Sequence, residues 1–321
     1  MNPWQPSASL SHLKIRARIL KQIRDFFNAR GVLEVETPLM CHTSVTDPFI
    51  ESIPALFKAH PHEKELRYYL QTSPEYAMKR LLAAGCGAIY QITKSFRQGE
   101  VGRLHNPEFT MIEWYQPGFD HHALMNEMDE LLQLILETPR AKRLSYADMF
   151  QTYLMIDVNT ASIDDLKTCA LKENIQLAGD LYNRDSWLIF LMTHLIEPRF
   201  DHTQPFFIYD FPVSQAALAR IQPGHPPTAA RFEVYFRGIE LANGFYELQD
   251  AHEQRKRFEN NLEERKALGL NTLPIDELFL DALMHGLPDC SGVALGLDRL
   301  VMLATKCTNI ADILSFDFSR V

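Results

Sequence analysis

Long apolar runs are absent from this chain; no stretch approaches the ~18 residues that a membrane-spanning helix needs. No basic-then-apolar leader opens it either, the first residues being MNPWQPSASL. Cysteine is sparse, with five residues (Cys41, Cys86, Cys169, Cys290 and Cys307) and no CxxC pair. Neither a cysteine zinc site nor a disulfide framework is indicated, which fits a reducing cytoplasm. An excess of positive charge is lacking too: 32 Lys and Arg stand against 41 Asp and Glu, a formal charge of −9. Generic nucleic-acid binding by phosphate neutralisation is therefore not expected, although a local basic patch stays open. Glycine is scarce at 14 of 321 residues, so each cluster of it is worth inspecting. Neither GxGxxG nor GxxxxGK[ST] occurs, so no Rossmann or P-loop nucleotide site is signalled.

What is present is an ordinary globular composition, 46% apolar and 23% charged. Residues 1–10 read as a loose terminus. From Ser11, Ile15, Ile19, Ile23, Phe26 and Phe27 recur at helical spacing, and Gly31 offers a stop. Residues 32–36 alternate apolar and acidic side chains as a strand does, ended by Thr37-Pro38. Further helices are expected over residues 74–84, 121–138, 251–268, 275–285 and 298–304. Strands are expected over 88–93, 109–115, 206–209, 231–236, 238–248 and 292–297. Residues 140–204 read as a helical insertion without a motif, with helices near 145–153, 163–173 and 187–195. Strands in hairpin-like pairs, with helices grouped between them, predict an α+β fold on an antiparallel sheet.

Three separated segments carry more polar chemistry than packing requires. The first runs from Ser95 to Phe109 and sets Arg97, Arg103 and His105 on a connection between two strands, with Gly99 and Gly102 giving it freedom. Guanidinium groups there could grip phosphate oxygens bidentately; a solvated hairpin loop is the plain alternative. In the strand that follows, period two puts Phe109, Met111, Glu113 and Tyr115 on one face and Thr110, Ile112 and Trp114 on the other. A carboxylate and a phenol beside an aromatic ring suit a cation next to a stacked ring, unless Glu113 merely pairs with an arginine at the sheet edge. In the second segment, Gly238 to Leu248, the polar residues Glu240, Asn243 and Glu247 interrupt an apolar run around Gly244. Carboxylates there are costly to bury without a cation, which Mg²⁺ or a structural salt bridge would supply. The third segment, Cys290 to Arg299, has Gly292 and Gly296 for close approach and Arg299 at the opening of a helix, an anion site by dipole and charge together.

Taken in order, these segments resemble the three signature motifs of class II aminoacyl-tRNA synthetases, most closely the lysyl branch. Residues 31–38 (GVLEVETP) look like motif 1, Phe96-Arg97 through Tyr115 like motif 2, and residues 292–299 (GVALGLDR) like motif 3. Ser73-Pro74-Glu75-Tyr76 and the run from Glu240 to Glu247 match the lysyl substrate pocket. The resemblance extends from about Leu10 to Arg320. It implies an antiparallel sheet flanked by helices, a single catalytic domain over residues 1–321, AMP-forming chemistry on ATP with Mg²⁺, and a homodimer across motif 1. By the same resemblance Arg97 holds the α-phosphate, Arg299 the γ-phosphate end or the adenine face, and Phe109 stacks adenine. Gly99, His105, Asn106, Leu241 and Gly296 complete the nucleotide site, and Glu240 and Glu247 hold Mg²⁺. Ser73, Pro74, Glu75, Glu113, Tyr115, Asn243, Glu247 and Ala294 line the amino-acid pocket.

Only about ten residues precede the motif 1 helix, which leaves no room for an anticodon-binding barrel, so tRNA anticodon recognition is not expected. A free-standing lysyl-type domain of this length resembles the ligases that activate (R)-β-lysine and attach it to a lysine of elongation factor P. That resemblance implies a protein acceptor, a cytoplasmic setting and no membrane partner. A lysyl-type enzyme charging tRNA and a non-catalytic lysine-binding paralogue are the alternatives. Two departures from the family pattern matter. Ala294 stands where lysyl-tRNA synthetases carry glycine, and one methyl group there could shift choice from α- to β-lysine. The family's Phe-Arg-x-Glu is here Phe96-Arg97-Gln98-Gly99 followed by Glu100, leaving open whether Glu100 or backbone groups meet adenine.

Overall fold

The computed structural model describes residues 4–175, 181 and 183–321. The chain divides into two compact units, Met1–Phe119 with Gln249–Val321, and Asp120–Leu248.

The first unit begins with α1 (Leu10–Asn28), capped by the Ser9 hydroxyl accepting from His12 N–H and burying Ile19, Ile23, Phe26 and Phe27. Gly31, at φ 68°, makes the left-handed step that turns the helix into β1 (Leu33–Glu34). A small sheet follows, β2 (Met40–Cys41), β3 (Pro54–Phe57) and β4 (Leu66–Leu70), ordered β2-β4-β3. After Pro74 comes α2 (Glu75–Ala83), then β5 (Ile89–Phe96) and β6 (Glu108–Pro117), which pair antiparallel from Ile89↔Tyr115 to Phe96↔Glu108. Both strands outrun their expected ends, because the polar residues Ser95 and Glu108 still take part in the ladder.

The second unit opens with α3 (His121–Leu136), started by the Asp120 cap and stopped by Glu137 at φ 53°. Next come β7 (Lys142–Ser145), α4 (Tyr146–Leu154), α5 (Ile163–Lys172) and α6 (Arg184–Leu191), the last running on into a π turn over Met192–Ile196. The remaining strands are β8 (Phe206–Pro212), β9 (Ile221–Gln222), β10 (Thr228–Phe236) and β11 (Ile239–Tyr246). Their order is β11-β10-β8-β7, with β9 also on β10 and β7 parallel to β8. The expected helical insertion therefore contributes a strand. Lys142-Arg-Leu-Ser lacks an apolar alternation, so nothing in its pattern announced one. Arg237 and Gly238, at φ 52° and 69°, form the tight turn between β10 and β11, where two positive φ values match the strand twist. Tyr146, Phe150, Leu188, Phe211 and Phe245 are among the side chains of this unit's core.

The chain then returns to the first unit with α7 (Ala251–Ala267), α8 (Glu277–Gly286), β12 (Cys290–Gly296) and α9 (Leu297–Ala304). β12 pairs antiparallel with β6, giving the order β1-β5-β6-β12, with β1 parallel to β5. The N-terminal segment is not loose where it is described. Ser7 and Ala8 N–H donate to the Ser315 and Leu314 carbonyls at 2.8 and 2.9 Å, and Ala8 is buried. Residues 1–3 of that expectation lie outside the described residues. Among the described residues no helix is long and apolar enough to cross a membrane.

Candidate active site

β6 has a neighbour on each side in unbroken register, so its two faces separate as period two predicts. One face meets helices. Thr110 N–H donates to Asp298 Oδ2 at 2.7 Å, Arg16 pairs with Asp298 Oδ1 at 2.6 Å, and the Trp114 ring lies 5.3 Å from Phe27. The pair of half-buried Arg16 and buried Asp298 escaped the sequence reading, since its members are 282 residues apart.

The opposite face carries the titratable groups. Glu113 is only 2% exposed. It accepts hydrogen bonds from Ser73 Oγ at 2.7 Å and Tyr115 Oη at 2.5 Å, rather than pairing with an arginine at a sheet edge. Burial first, and then the Glu75 carboxylate, push it up to about 7 against the pull of the two hydroxyls and Lys79. Glu75 opens α2 just after Pro74 and holds the buried Lys79 ammonium at 2.6 Å. Ala294 sits directly across from Glu113 in the β12–β6 register. The pocket thus gathers two carboxylates and one ammonium, and its deepest carboxylate rests on hydroxyls. An added cation would stabilise the ionised form.

Arg97 lies on the β5–β6 connection, and Arg299 of α9 reaches the same connection through His105. Gly99 takes φ 80°, and Glu100 comes round to face Arg97, Nη1 to Oε1 at 3.5 Å. Arg97 lies over the Phe109 ring with its guanidinium carbon 5.1 Å from the centroid, and its Nε is buried without a hydrogen-bond partner among the described residues. Arg299, in the first turn of α9 after the Gly296 cap, donates to His105 Nε2 at 2.7 Å. Burial, then Arg299, and also Arg97 pull His105 below its usual range. One neutral imidazole therefore reports both guanidinium groups nearby. Asn106 braces the loop, donating to the Glu108 carbonyl at 2.6 Å and accepting from Phe318 N–H at 2.9 Å. Arg103 does not join them; it donates to the Thr308 carbonyl at 3.1 Å.

In the second unit the β10–β11 hairpin arranges its own polar face. The register pairs Glu233 with Asn243 and Tyr235 with Glu240, leaving buried Leu241 as an extra residue. That bulge turns Glu240 onto the face of Asn243, with Glu233 and Tyr235 on the facing strand. Arg231 binds Glu233 and donates Nε–H to Asn243 Oδ1 at 3.0 Å. The Tyr235 hydroxyl donates to Glu233 at 2.7 Å, and burial followed by Glu233 and Glu240 holds that phenol well above its usual range.

The expectation that Glu240 and Glu247 share one Mg²⁺ needs correction. Glu240 lies near the start of β11 and Glu247 just past its end; at ~3.3 Å per residue they stand roughly 20 Å apart, beyond the reach of one ion. Glu233, which the sequence reading missed, is the carboxylate that shares Glu240's face, and the two offer the oxygen donors Mg²⁺ takes. The Glu-x-Tyr pattern of β10 opposite Glu240 was the available signal. Glu247 is 1% exposed, and its carbonyl accepts from Arg220 at 3.3 Å.

Comparison with known proteins gives the family. A family model described as tRNA synthetases class II (D, K and N) matches residues 5–320. The chain belongs to this family. Among its curated relatives, the elongation factor P--(R)-beta-lysine ligases of Salmonella dublin and Salmonella paratyphi B are each 51% identical over 318 residues. The alignments cover 99% of this chain and 98% of theirs. The α+β fold of a class II synthetase domain therefore stands on both pattern and kinship.

Proposed function

We propose that this class II synthetase-like chain is an ATP-dependent, AMP-forming ligase that activates (R)-β-lysine and attaches it to a lysine side chain of elongation factor P. The observation that carries this reading is the 51% identity to ligases so named, spread over 99% of the chain. In the first step an amino-acid carboxylate oxygen attacks the α-phosphorus of ATP, the bond to pyrophosphate breaks, and an acyl-adenylate forms. Two anions must meet, so the site has to cancel charge around phosphorus. Arg97 and Arg299 are suited to that work, with neutral His105 fixing the Arg299 fork and Phe109 offering a ring to adenine. Mg²⁺, when bound, would neutralise triphosphate charge, and Glu240 with Glu233 would hold it. Glu113 and Glu75 receive the amines of the substrate, with Ser73 and Tyr115 orienting Glu113. In the second step an acceptor ε-amine attacks the activated carbonyl, AMP leaves, and the amine gives up a proton.

The same reading makes the two units one catalytic domain within a cytoplasmic homodimer that acts on a protein rather than on tRNA. Exposed Leu33, Leu39 and Met40 beside the edge strand β1 support pairing of two copies there. The test is ATP–pyrophosphate exchange with (R)-β-lysine and with α-lysine, followed by the mass of elongation factor P. Exchange favouring (R)-β-lysine and a mass gain of one lysyl residue are expected. Aminoacylated tRNA with unmodified elongation factor P, or no exchange with either isomer, would overturn it.

A further inference from the structure

Far along the chain from the arginine loop, the second unit brings two imidazoles, a carboxylate and an amide together. His121 and His122 are the first two residues of α3. Asp210 lies on β8 where the facing strand widens: Phe211 pairs with Ala229 and Tyr209 with Phe232, so Ala230 and Arg231 stand across from Asp210 alone. Two residues against one bend the ladder, and Asp210 takes φ 56°, a left-handed value that short polar side chains tolerate best. His121 Nε2 and Asp210 Oδ1 are 3.0 Å apart. One donor atom from each of His121, His122 and Asp210 lies within 4.8 Å of the others. Gln222, from β9, places its amide nitrogen 3.1 Å from Asp210 Oδ1 and 3.4 Å from His121 Nε2. His121 is buried with its Nδ1 unpartnered among the described residues, Asp210 is half-buried, and His122 is exposed. The cluster is a socket open on one side.

We propose that this socket binds one Zn²⁺, with His121, His122 and Asp210 as ligands and the Gln222 amide, turned to present its oxygen, or a water as the fourth. Imidazole nitrogens with one carboxylate form the mixed donor set that zinc favours and that Mg²⁺, which prefers oxygen, does not. Metal–ligand bonds near 2 Å put tetrahedral donors about 3.3 Å apart. The His121–Asp210 pair already has that spacing, and the exposed His122 ring closes by rotation. The positive end of α3 opposes the ion itself. Affinity then comes from the donors and stays below that of a dedicated structural zinc. The bound ion would tie the start of α3 to β8 and β9.

Zn²⁺ titrated calorimetrically into the whole protein tests this, with Co²⁺ as an optical probe. The comparison set is His122→Ala, Asp210→Asn, and a control with His12→Ala and Cys307→Ser, which removes a separate thiol–imidazole pair. One zinc per chain is expected, bound at least about tenfold more weakly in His122→Ala and in Asp210→Asn, and unchanged in the control. The visible Co²⁺ band should vanish in the same two variants. Because His122 is exposed, its variant keeps the test valid if Asp210→Asn misfolds. Equal affinity in wild type and His122→Ala, absence of a one-to-one site, or loss of binding in the control would overturn the proposal.

Discussion

Glu113 on β6 and Glu233 on β10 each accept a hydrogen bond from the tyrosine two residues further on, at 2.5 and 2.7 Å. Both are buried. Their third partners differ. Glu233 has the Arg231 guanidinium against it, whereas Glu113 has the Ser73 hydroxyl and a second carboxylate, Glu75, close enough to raise its proton affinity. A buried carboxylate with a built-in guanidinium is a completed pair, and any ion added there must bring counter-charge, as a triphosphate-bound Mg²⁺ does. A buried carboxylate held by hydroxyls is a receptor for a cation from outside. Under the proposed function the same Glu-x-Tyr pattern would serve support in one strand and recognition in the other, with its companions deciding which.

Substitutions can break or sharpen this contrast. The largest effect is expected from the anion side of the first unit: Arg97→Ala should lower ATP–pyrophosphate exchange about 10²–10³-fold with an unchanged circular dichroism spectrum. Exchange at the wild-type rate would remove Arg97 from the reaction. Next comes the direct comparison. Glu113→Gln should raise the amino-acid KM about 10–100-fold, while Glu233→Gln should leave that KM alone and raise the Mg²⁺ needed for half-maximal rate. Equal effects of the two on the amino-acid KM would erase the distinction. Glu240→Gln should raise the Mg²⁺ requirement by about tenfold and Glu247→Gln should not; the reverse order would restore Glu247 as a metal ligand.

A smaller effect should appear in folding. Glu113 is raised from 4.5 to about 7, so between those values the folded chain holds a proton that the unfolded chain has lost. Its contribution therefore declines as pH rises through that window. Glu113→Gln should unfold at a higher temperature relative to wild type at pH 8 than at pH 5, and a constant difference would contradict the raised value. The smallest change is expected at Ala294→Gly, which should shift activation toward α-lysine by several-fold, up to about tenfold. An unchanged ratio would remove Ala294 as a determinant.

Much of the fold is legible in the sequence, and the candidate site is legible where a local pattern marks it. The β6 faces were legible because a strand with regular neighbours on both sides obeys period two without exception, and Glu113 followed from that. The arginine loop was legible from its glycines and charges, yet Arg103 looked equivalent to Arg97 until the loop closed on Thr308. The Leu241 bulge leaves no mark in composition, and that one inserted residue sets Glu240 on the face of Glu233, a neighbour that plain alternation along the two strands does not suggest. β7 was missed because a short, polar strand has no pattern of its own. The Arg16–Asp298 pair and the His121–Asp210 approach are meetings across long stretches of chain, which local periodicity does not encode.

The most direct measurement is the KM for (R)-β-lysine in pyrophosphate exchange, followed from pH 6 to pH 8 in wild type and in Glu113→Gln. With a carboxyl titrating at about 7, the wild-type value should fall about tenfold across that range as the carboxylate ionises, then level off. The variant should stay high and flat. A wild-type KM that ignores pH, or a variant that tracks it, would show that Glu113 does not receive the substrate's charge.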